Sequence, residues 1–354
     1  MDQEEDIENC ITGYRRLVKR QTNNFGEPCS ASSDAVIVRF EVVVSVGVTA
    51  FNQRDALNAP KDGIYAPEAA TTDYESCHTS SIRRYTKEVN NDEFRELLWQ
   101  KGRELYRDMP WRQDTRPYYI LVSELMLQQT QVDRVIPKFN AFIERFPDIL
   151  SLATADLADV IILWQGLGYN RRAKYLHDAA KKIVTNFEGK FPENKTDLMS
   201  LPGVGPNTAG AILTYAFNQP AVFIETNVRT VYFYHYFIDG ERVHDTQLVE
   251  IVTSTLDRDH PREFYWALMD YGSWLKKQKV GRIQQSIHYK KQSALSGSVR
   301  EIRGQILRAL SINDMTADQL QAAITVDERF RRALDGVMAD GLVSQQGDTL
   351  HLTK

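Results

Sequence analysis

The segment Leu201-Pro202-Gly203-Val204-Gly205-Pro206-Asn207-Thr208-Ala209-Gly210 sets a glycine-rich turn between two helical stretches. Glycine at Gly203 and Gly205 lets another group approach the backbone closely, and the second helix exposes unpaired amides at its N-terminus. Gly203, Val204, Gly205, Asn207 and Thr208 therefore form a candidate cradle for a DNA phosphate, held without base preference, or, through carbonyls, for a monovalent cation. A tight helix-to-helix connection would use a similar turn. Glycine, rather than serine or asparagine, at both close-approach positions favours the phosphate reading.

A second chemical feature is a run of positive charge. Between Trp274 and Arg303 stand Lys276, Lys277, Lys279, Arg282, Lys290, Lys291, Arg300 and Arg303, against Glu301 alone. Such a strip would track phosphates or simply form a solvated face. The formal net charge is -4, but residues 1–90 carry 10 basic and 14 acidic side chains, so the whole acidic excess sits there and the remainder is balanced. Cys10, Cys29 and Cys77 are the three cysteines, widely spaced, with no CxxC pair. No metal site is expected, neither zinc nor a cluster.

These groups need elements to hold them. Residues 1–90 mix Asn, Ser, Thr, Asp and Gly with one β-branched run, Val36 to Val48, and read as a largely irregular, poorly ordered extension. From Asn91 the period becomes helical: Phe94, Leu97, Leu98 and Leu105 make one apolar stripe. Further helices are expected at Tyr118 to Gln131, Val135 to Phe146, Ala155 to Trp164, Arg171 to Phe187, Lys195 to Met199, Asn207 to Ala216, Asn227 to Phe237, Thr246 to Leu256 and Arg262 to Lys277, with no strand signal among them. After a Ser/Gly break at Ser293 to Ser298 the tail reads as helix, a short helix capped by Thr316, a third helix from Asp327 to Asp340, and a hairpin about Gln346-Gly347-Asp348. That order suggests a winged helix over 298–354, a module that serves DNA or protein binding.

At 354 residues there is room for several cores. The longest apolar run, Ala35 to Phe51, is interrupted by Arg39 and Glu41, which argues against a membrane span, and the acidic start is unlike a signal peptide. A cytoplasmic, nucleoid-associated monomer with no membrane contact is expected.

Four blocks carry a family resemblance: Ser123-Glu124-Leu125-Met126-Leu127-Gln128-Gln129-Thr130-Gln131-Val132; Gly166-Leu167-Gly168-Tyr169; the glycine turn; and Glu225-Thr226-Asn227-Val228-Arg229. In this order, from about Met109 to Lys277, the chain resembles adenine DNA glycosylases of the MutY type, within the helix-hairpin-helix superfamily. The first block is the most discriminating. The resemblance implies a mainly α, two-lobed fold over 91–292, with a six-helix lobe at about 118–223 and a second lobe from 91–117 plus 224–292. The partner would be double-stranded DNA containing a mispaired adenine.

Breaking an adenine N-glycosidic bond needs an acid for the departing base and fixed negative charge for the electron-poor sugar. By resemblance, Glu124 is the acid. Its neighbours Val122, Leu125 and Leu127 suit a partly dry pocket that would raise its pKa. Glu225 would stabilise the cation, standing ahead of a helix whose dipole favours its charge. The family carries Asp there, and the extra methylene moves the carboxylate by about 1 Å, enough to slow the reaction on the order of a hundredfold if uncompensated. Asn227 resembles the residue that positions water and carboxylate. Trp111 and Arg112, with Asn207, would form the adenine pocket, and Gln129 and Tyr169 would insert into the duplex to offset the cost of flipping. For Tyr169 an ordinary core aromatic is the alternative.

Three further points follow from the resemblance. Asn207 stands where bifunctional relatives place a Schiff-base lysine, so the abasic strand should remain uncut. The first cysteine ligand of cluster-bearing relatives falls near Leu275-Lys276-Lys277, where this chain has none, so no iron-sulfur cluster is expected. The tail, Val299 to Lys354, is shorter than the family's 8-oxoguanine-recognising domain, which leaves guanine and 8-oxoguanine both open as the opposing base. Other readings are a glycosylase for thymine or uracil opposite guanine and a non-catalytic DNA-binding protein.

Overall fold

The computed structural model of the protein describes residues 89–237, 242–287, 289, 293–324 and 327–354. The extension expected at 1–90 lies outside the described residues except for its last two.

α1 (Asn91–Glu104) begins where Asn90 accepts the Asp92 amide at 2.9 Å, with acidic residues in its first turn and Lys101 and Arg103 in its last, the charge order a helix dipole favours. Its buried residues Phe94 and Leu98, four apart, face inward. A short α2 (Pro110–Gln113) follows, then α3 (Pro117–Leu127), in which Glu124 is the one charged residue among apolar and aromatic side chains. A helix apolar all round belongs in a core, so a carboxyl in its middle requires a cavity.

α4 (Val132–Arg145), α5 (Ile149–Ala153), α6 (Leu157–Trp164), α7 (Arg171–Asn186), α8 (Lys195–Met199) and α9 (Pro206–Phe217) complete a first bundle. In it α3 packs on α4 and α9, and α7 on α5 and α6, with Phe139, Phe142, Phe146 and Trp164 fully enclosed. Each such side chain contributes about 1.5–3 kcal/mol of burial. α10 (Thr226–Tyr236), α11 (Asp245–Thr255) and α12 (Pro261–Lys277) return to pack with α1 around Tyr232, Phe233, Phe264 and Tyr265. Among the described residues no helix is long and apolar enough to cross a membrane.

The expected helices are present with three differences. The Tyr118 to Gln131 helix stops at Leu127, because Gln129 adopts a left-handed φ of 57°. α2 and α5, of four and five residues, were not foreseen. Val243 forms a single parallel bridge with Ser286 where no strand pairing was expected.

The tail holds α13 (Val299–Leu310), β1 (Met315–Thr316), α14 (Ala317–Ala323), α15 (Arg329–Ala339), β2 (Val343–Gln346) and β3 (Thr349–Leu352). The strands are antiparallel in the order β1-β3-β2, and alternate β3 residues Leu350 and Leu352 enter a core with Ile302, Ile306 and Phe330. Thr316 and Gln319 cap α14 reciprocally. The two-residue β1 was too short to be read from sequence.

α12 meets α10 at Gly272, where a Cβ would stand 2.5 Å from the Asn227 carbonyl oxygen and 2.8 Å from its Cβ. A Gly272→Ala variant should therefore lose about 1–3 kcal/mol of stability in urea denaturation, as overpacked sites do. Unchanged or increased stability, the usual result of Gly→Ala in a helix with open space, would contradict this close approach.

Candidate active site

Glu124, from α3, and Glu225, the residue before α10, line one cavity of about 1180 Å³ between the two bundles. Pockets for small ligands run to about 300–1,000 Å³, so an extruded nucleotide has room. Neither carboxyl has a protein hydrogen-bond partner among the described residues. Burial pushes the Glu124 carboxyl well above the ordinary range, and the Glu225 charge pushes it further. Burial also raises Glu225, but the charges of Arg229 and Lys276 draw it back. Both carboxyls therefore lean toward the neutral form, Glu124 the more strongly, so a proton held at the pair favours Glu124.

The backbone ahead of Glu225 is fixed from both bundles. The Asn207 Nδ2 donates to the Ile224 carbonyl at 3.0 Å and its Oδ1 accepts the Ile224 amide at 3.3 Å. The Tyr265 hydroxyl accepts the Phe223 amide at 3.1 Å, donates to the Phe223 carbonyl at 3.2 Å, and the two rings stack at 3.9 Å. Asn207 therefore lines the cavity but spends its amide as a bracket. Glu225 itself makes no side-chain cap to α10, leaving the cavity to its carboxylate. Among the described residues Asn227 has a buried Oδ1 with no protein partner, and its Nδ2 meets only the Met269 sulfur at 3.7 Å.

Trp111 and Arg112 also line the cavity. Trp111 is buried edge-on against Phe139. The Arg112 guanidinium is held by Asp270, with Nη1 to Oδ2 at 2.7 Å and Nη2 to Oδ1 at 3.0 Å, and lies 5.3 Å from the rings of both Tyr106 and Trp266. Asp270 takes a further bond from the Arg107 Nε at 2.6 Å. Sequence reading missed Asp270, because its partners stand some 160 positions away. It also missed Tyr215, whose phenol lines the cavity and whose pKa is raised by burial and then by the charges of Glu124 and Glu225.

Gln129 and Tyr169 sit on neighbouring turns, both with positive φ, 57° and 47°. Gln129 is exposed and lines the cavity, whereas Tyr169 is half-buried outside it. One buried side chain, Arg172, fastens both turns. Its Nη1 donates to the carbonyls of Leu125 (2.6 Å), Met126 (3.0 Å) and Gln128 (2.6 Å), and its Nη2 to the Thr130 hydroxyl (3.1 Å) and the Gly168 carbonyl (2.8 Å). The same guanidinium thus ties the end of the Glu124 helix to the turns of Gln129 and Tyr169. Burial lowers its pKa to about 10, which leaves it charged at neutral pH.

At the glycine turn, Gly203 has φ 78°, and a Cβ there would stand 2.9 Å from Tyr175 Cβ. The expected cradle is narrowed at Val204: its side chain is buried and its amide donates to the Leu201 carbonyl at 3.1 Å. Gly205 caps α9, and the amides of Asn207 and Thr208 fall in its first turn, where helix geometry supplies no acceptor.

The basic strip is also narrowed. Arg300 bonds Tyr169 and Ser293, Arg303 pairs with Asp340, and Arg282 donates to the Phe237 carbonyl at 3.2 Å. Lys276 and Lys277 line the cavity; Lys290 and Lys291 lie outside the described residues. The segment after α12 does not fit an iron-sulfur cluster. It carries no cysteine, and its backbone closes on 242–243 through the Val243 amide to the Gln285 carbonyl at 3.0 Å. Among the described residues no three His, Cys, Asp or Glu side chains gather as metal ligands.

The raised Glu124 pKa links stability to pH. Below the ordinary glutamate value of about 4.3 both the folded and unfolded chains hold this proton, and above it only the folded chain does. Stability is therefore lost as pH rises through the folded pKa. Glu124→Gln should equal the natural protein in thermal stability at acid pH and exceed it at neutral pH. A gap that is absent or reversed at neutral pH would contradict the buried, protonated carboxyl.

Comparison with known proteins fits this geometry. The profile of the HhH-GPD superfamily of base excision DNA repair proteins matches residues 122–253. The adenine DNA glycosylase of Mycolicibacterium smegmatis is 35% identical over 262 residues, 68% of this chain and 89% of that protein. That of Mycobacterium tuberculosis (strain ATCC 25618 / H37Rv) is 33% identical over 266 residues, 69% of this chain and 88% of that one. The counterpart in Buchnera aphidicola subsp. Baizongia pistaciae is 37% identical over 168 residues, which span 48% of its length and 47% of this chain. The chain belongs to the adenine DNA glycosylase family of the helix-hairpin-helix base excision repair superfamily.

Proposed function

We propose that this protein binds duplex DNA as a monomer and hydrolyses the N-glycosidic bond of an adenine mispaired with guanine or 8-oxoguanine, leaving the abasic strand intact. One observation carries the reading: a proton-bearing Glu124 and a second carboxyl, Glu225, enter the same cavity from opposite bundles. Glu124 donates its proton to the purine ring as the bond to C1′ lengthens. The carboxylate of Glu225, whose anion Arg229 and Lys276 favour against the effect of burial, stabilises the positive charge that develops on the sugar. Asn227, on the cavity wall, is placed to help orient the attacking water, whose oxygen bonds to C1′ while its proton leaves to a carboxylate. Trp111 provides an apolar wall for the base. The turns of Gln129 and Tyr169 fill the gap in the duplex, and the amides at Gly205, Asn207 and Thr208 grip its phosphate backbone.

The absence of strand cutting rests on Asn207, an amide engaged with Ile224 and unable to form a Schiff base. No cofactor is assigned, and the opposing base is left to the assay.

The test is single-turnover incubation with duplexes carrying adenine opposite 8-oxoguanine or guanine, and thymine or uracil opposite guanine, each followed by alkali or by buffer. Alkali-dependent cleavage at adenine is expected, with Glu124→Gln binding the same duplex but slowed at least about a hundredfold, the range of general acid catalysis. Cleavage at thymine or uracil alone would replace the adenine reading. Cleavage without alkali would overturn the monofunctional one.

A further inference from the structure

Tyr169 is held by a residue from the tail. The Arg300 Nη1, on α13, donates to the Tyr169 hydroxyl at 2.6 Å, and the Arg300 guanidinium carbon lies 5.2 Å from the ring centroid. The Arg172 guanidinium lies 5.7 Å from the same centroid. Arg300 is itself fastened, with Nη2 donating to the Ser293 carbonyl at 2.7 Å. The module that carries it docks on the first turns of α7, just after Tyr169. Asp340 at the end of α15 takes Arg171 Nε at 3.4 Å as well as Arg303, and the Gly341 turn lies against the Lys174 side chain. An aromatic on a left-handed turn is thereby held by a charge-assisted hydrogen bond and by two guanidinium groups near its ring.

We propose that Arg300 is a positioning residue for base extrusion: it pre-orients the Tyr169 ring for entry into the duplex, so that residues 298–354 act on flipping without touching the reacting base. The proposal rests on the reading of Tyr169 as a residue that inserts into DNA. Ordering the side chain before binding removes an entropic cost that would otherwise fall on the extrusion step.

The experiment uses the full chain with Glu124→Gln as background and a duplex carrying 2-aminopurine at the adenine position opposite guanine. The fluorescence rise at saturating protein reports unstacking of that base. Single-turnover adenine release with Glu124 restored, duplex affinity and thermal stability are measured alongside. Arg300→Ala and Tyr169→Phe should each reduce the extruded fraction relative to the stacked one by roughly tenfold, the worth of one charge-assisted hydrogen bond. Their combination should be no worse than either alone, Arg300→Lys should recover part of the loss, and duplex affinity should change little. Should Arg300→Ala unfold the module, Tyr169→Phe, which keeps both the module and the ring, carries the test. Tyr169→Ala separates the two claims. If it extrudes normally, the insertion reading fails and takes this inference with it. If it loses extrusion while Arg300→Ala and Tyr169→Phe do not, the insertion reading stands and this inference is overturned. Multiplying effects of the two substitutions, or increased extrusion in Arg300→Ala as a released latch would give, overturn it equally.

Discussion

Two carboxyl groups that face one cavity, both half-buried, repel each other and lose part of their hydration, which pushes both toward the protonated form and Glu124 the further. Much of the molecule is arranged around that constraint. In α3 the Ser123 hydroxyl beside Glu124 is spent on the Ile120 carbonyl, the other close neighbours are apolar, and Glu124 lines the cavity. Glu225 arrives from the other bundle, where Arg229 and Lys276 favour its anion. The two surroundings differ in the direction that the proposed roles of acid and charge stabiliser require.

Holding that asymmetry needs a rigid frame, and polar atoms supply it wherever chain segments have no regular partner. Asn207 and Tyr265 grip Phe223 and Ile224 ahead of Glu225, Asp270 locks Arg112 and Arg107, and Arg172 satisfies carbonyls at the end of α3 and on both exposed turns. Removing one partner of a buried pair leaves an unsatisfied charge, which costs far more than the pair contributes. These side chains therefore fix where the site residues stand even though few of them meet the substrate.

The sequence displays whatever is periodic or local. The apolar stripes of α1 and α7, the glycine turn and the surroundings of Glu124 are all readable within a dozen residues. The frame is not, because Arg172, Asp270 and Tyr215 owe their importance to partners far along the chain. The stop of α3 at Leu127 was hidden as well. Gln128 and Gln129 are good helix formers, and tertiary bonds from Arg172 to the Leu125, Met126 and Gln128 carbonyls draw the chain out of the helix. For the same reason Arg300 and Arg303 read as free phosphate contacts, although Tyr169 and Asp340 already occupy them.

The protonation of Glu124 can be read directly. Infrared difference spectra of the natural protein against Glu124→Gln, taken across pH, isolate the carboxylic acid carbonyl band of that residue. The band should persist at neutral pH and should titrate at lower pH in a Glu225→Gln background, where the neighbouring charge is gone. A Glu124 that titrates at the ordinary glutamate value, or whose titration ignores the loss of the Glu225 charge, would contradict the shared-proton pair on which the site is built.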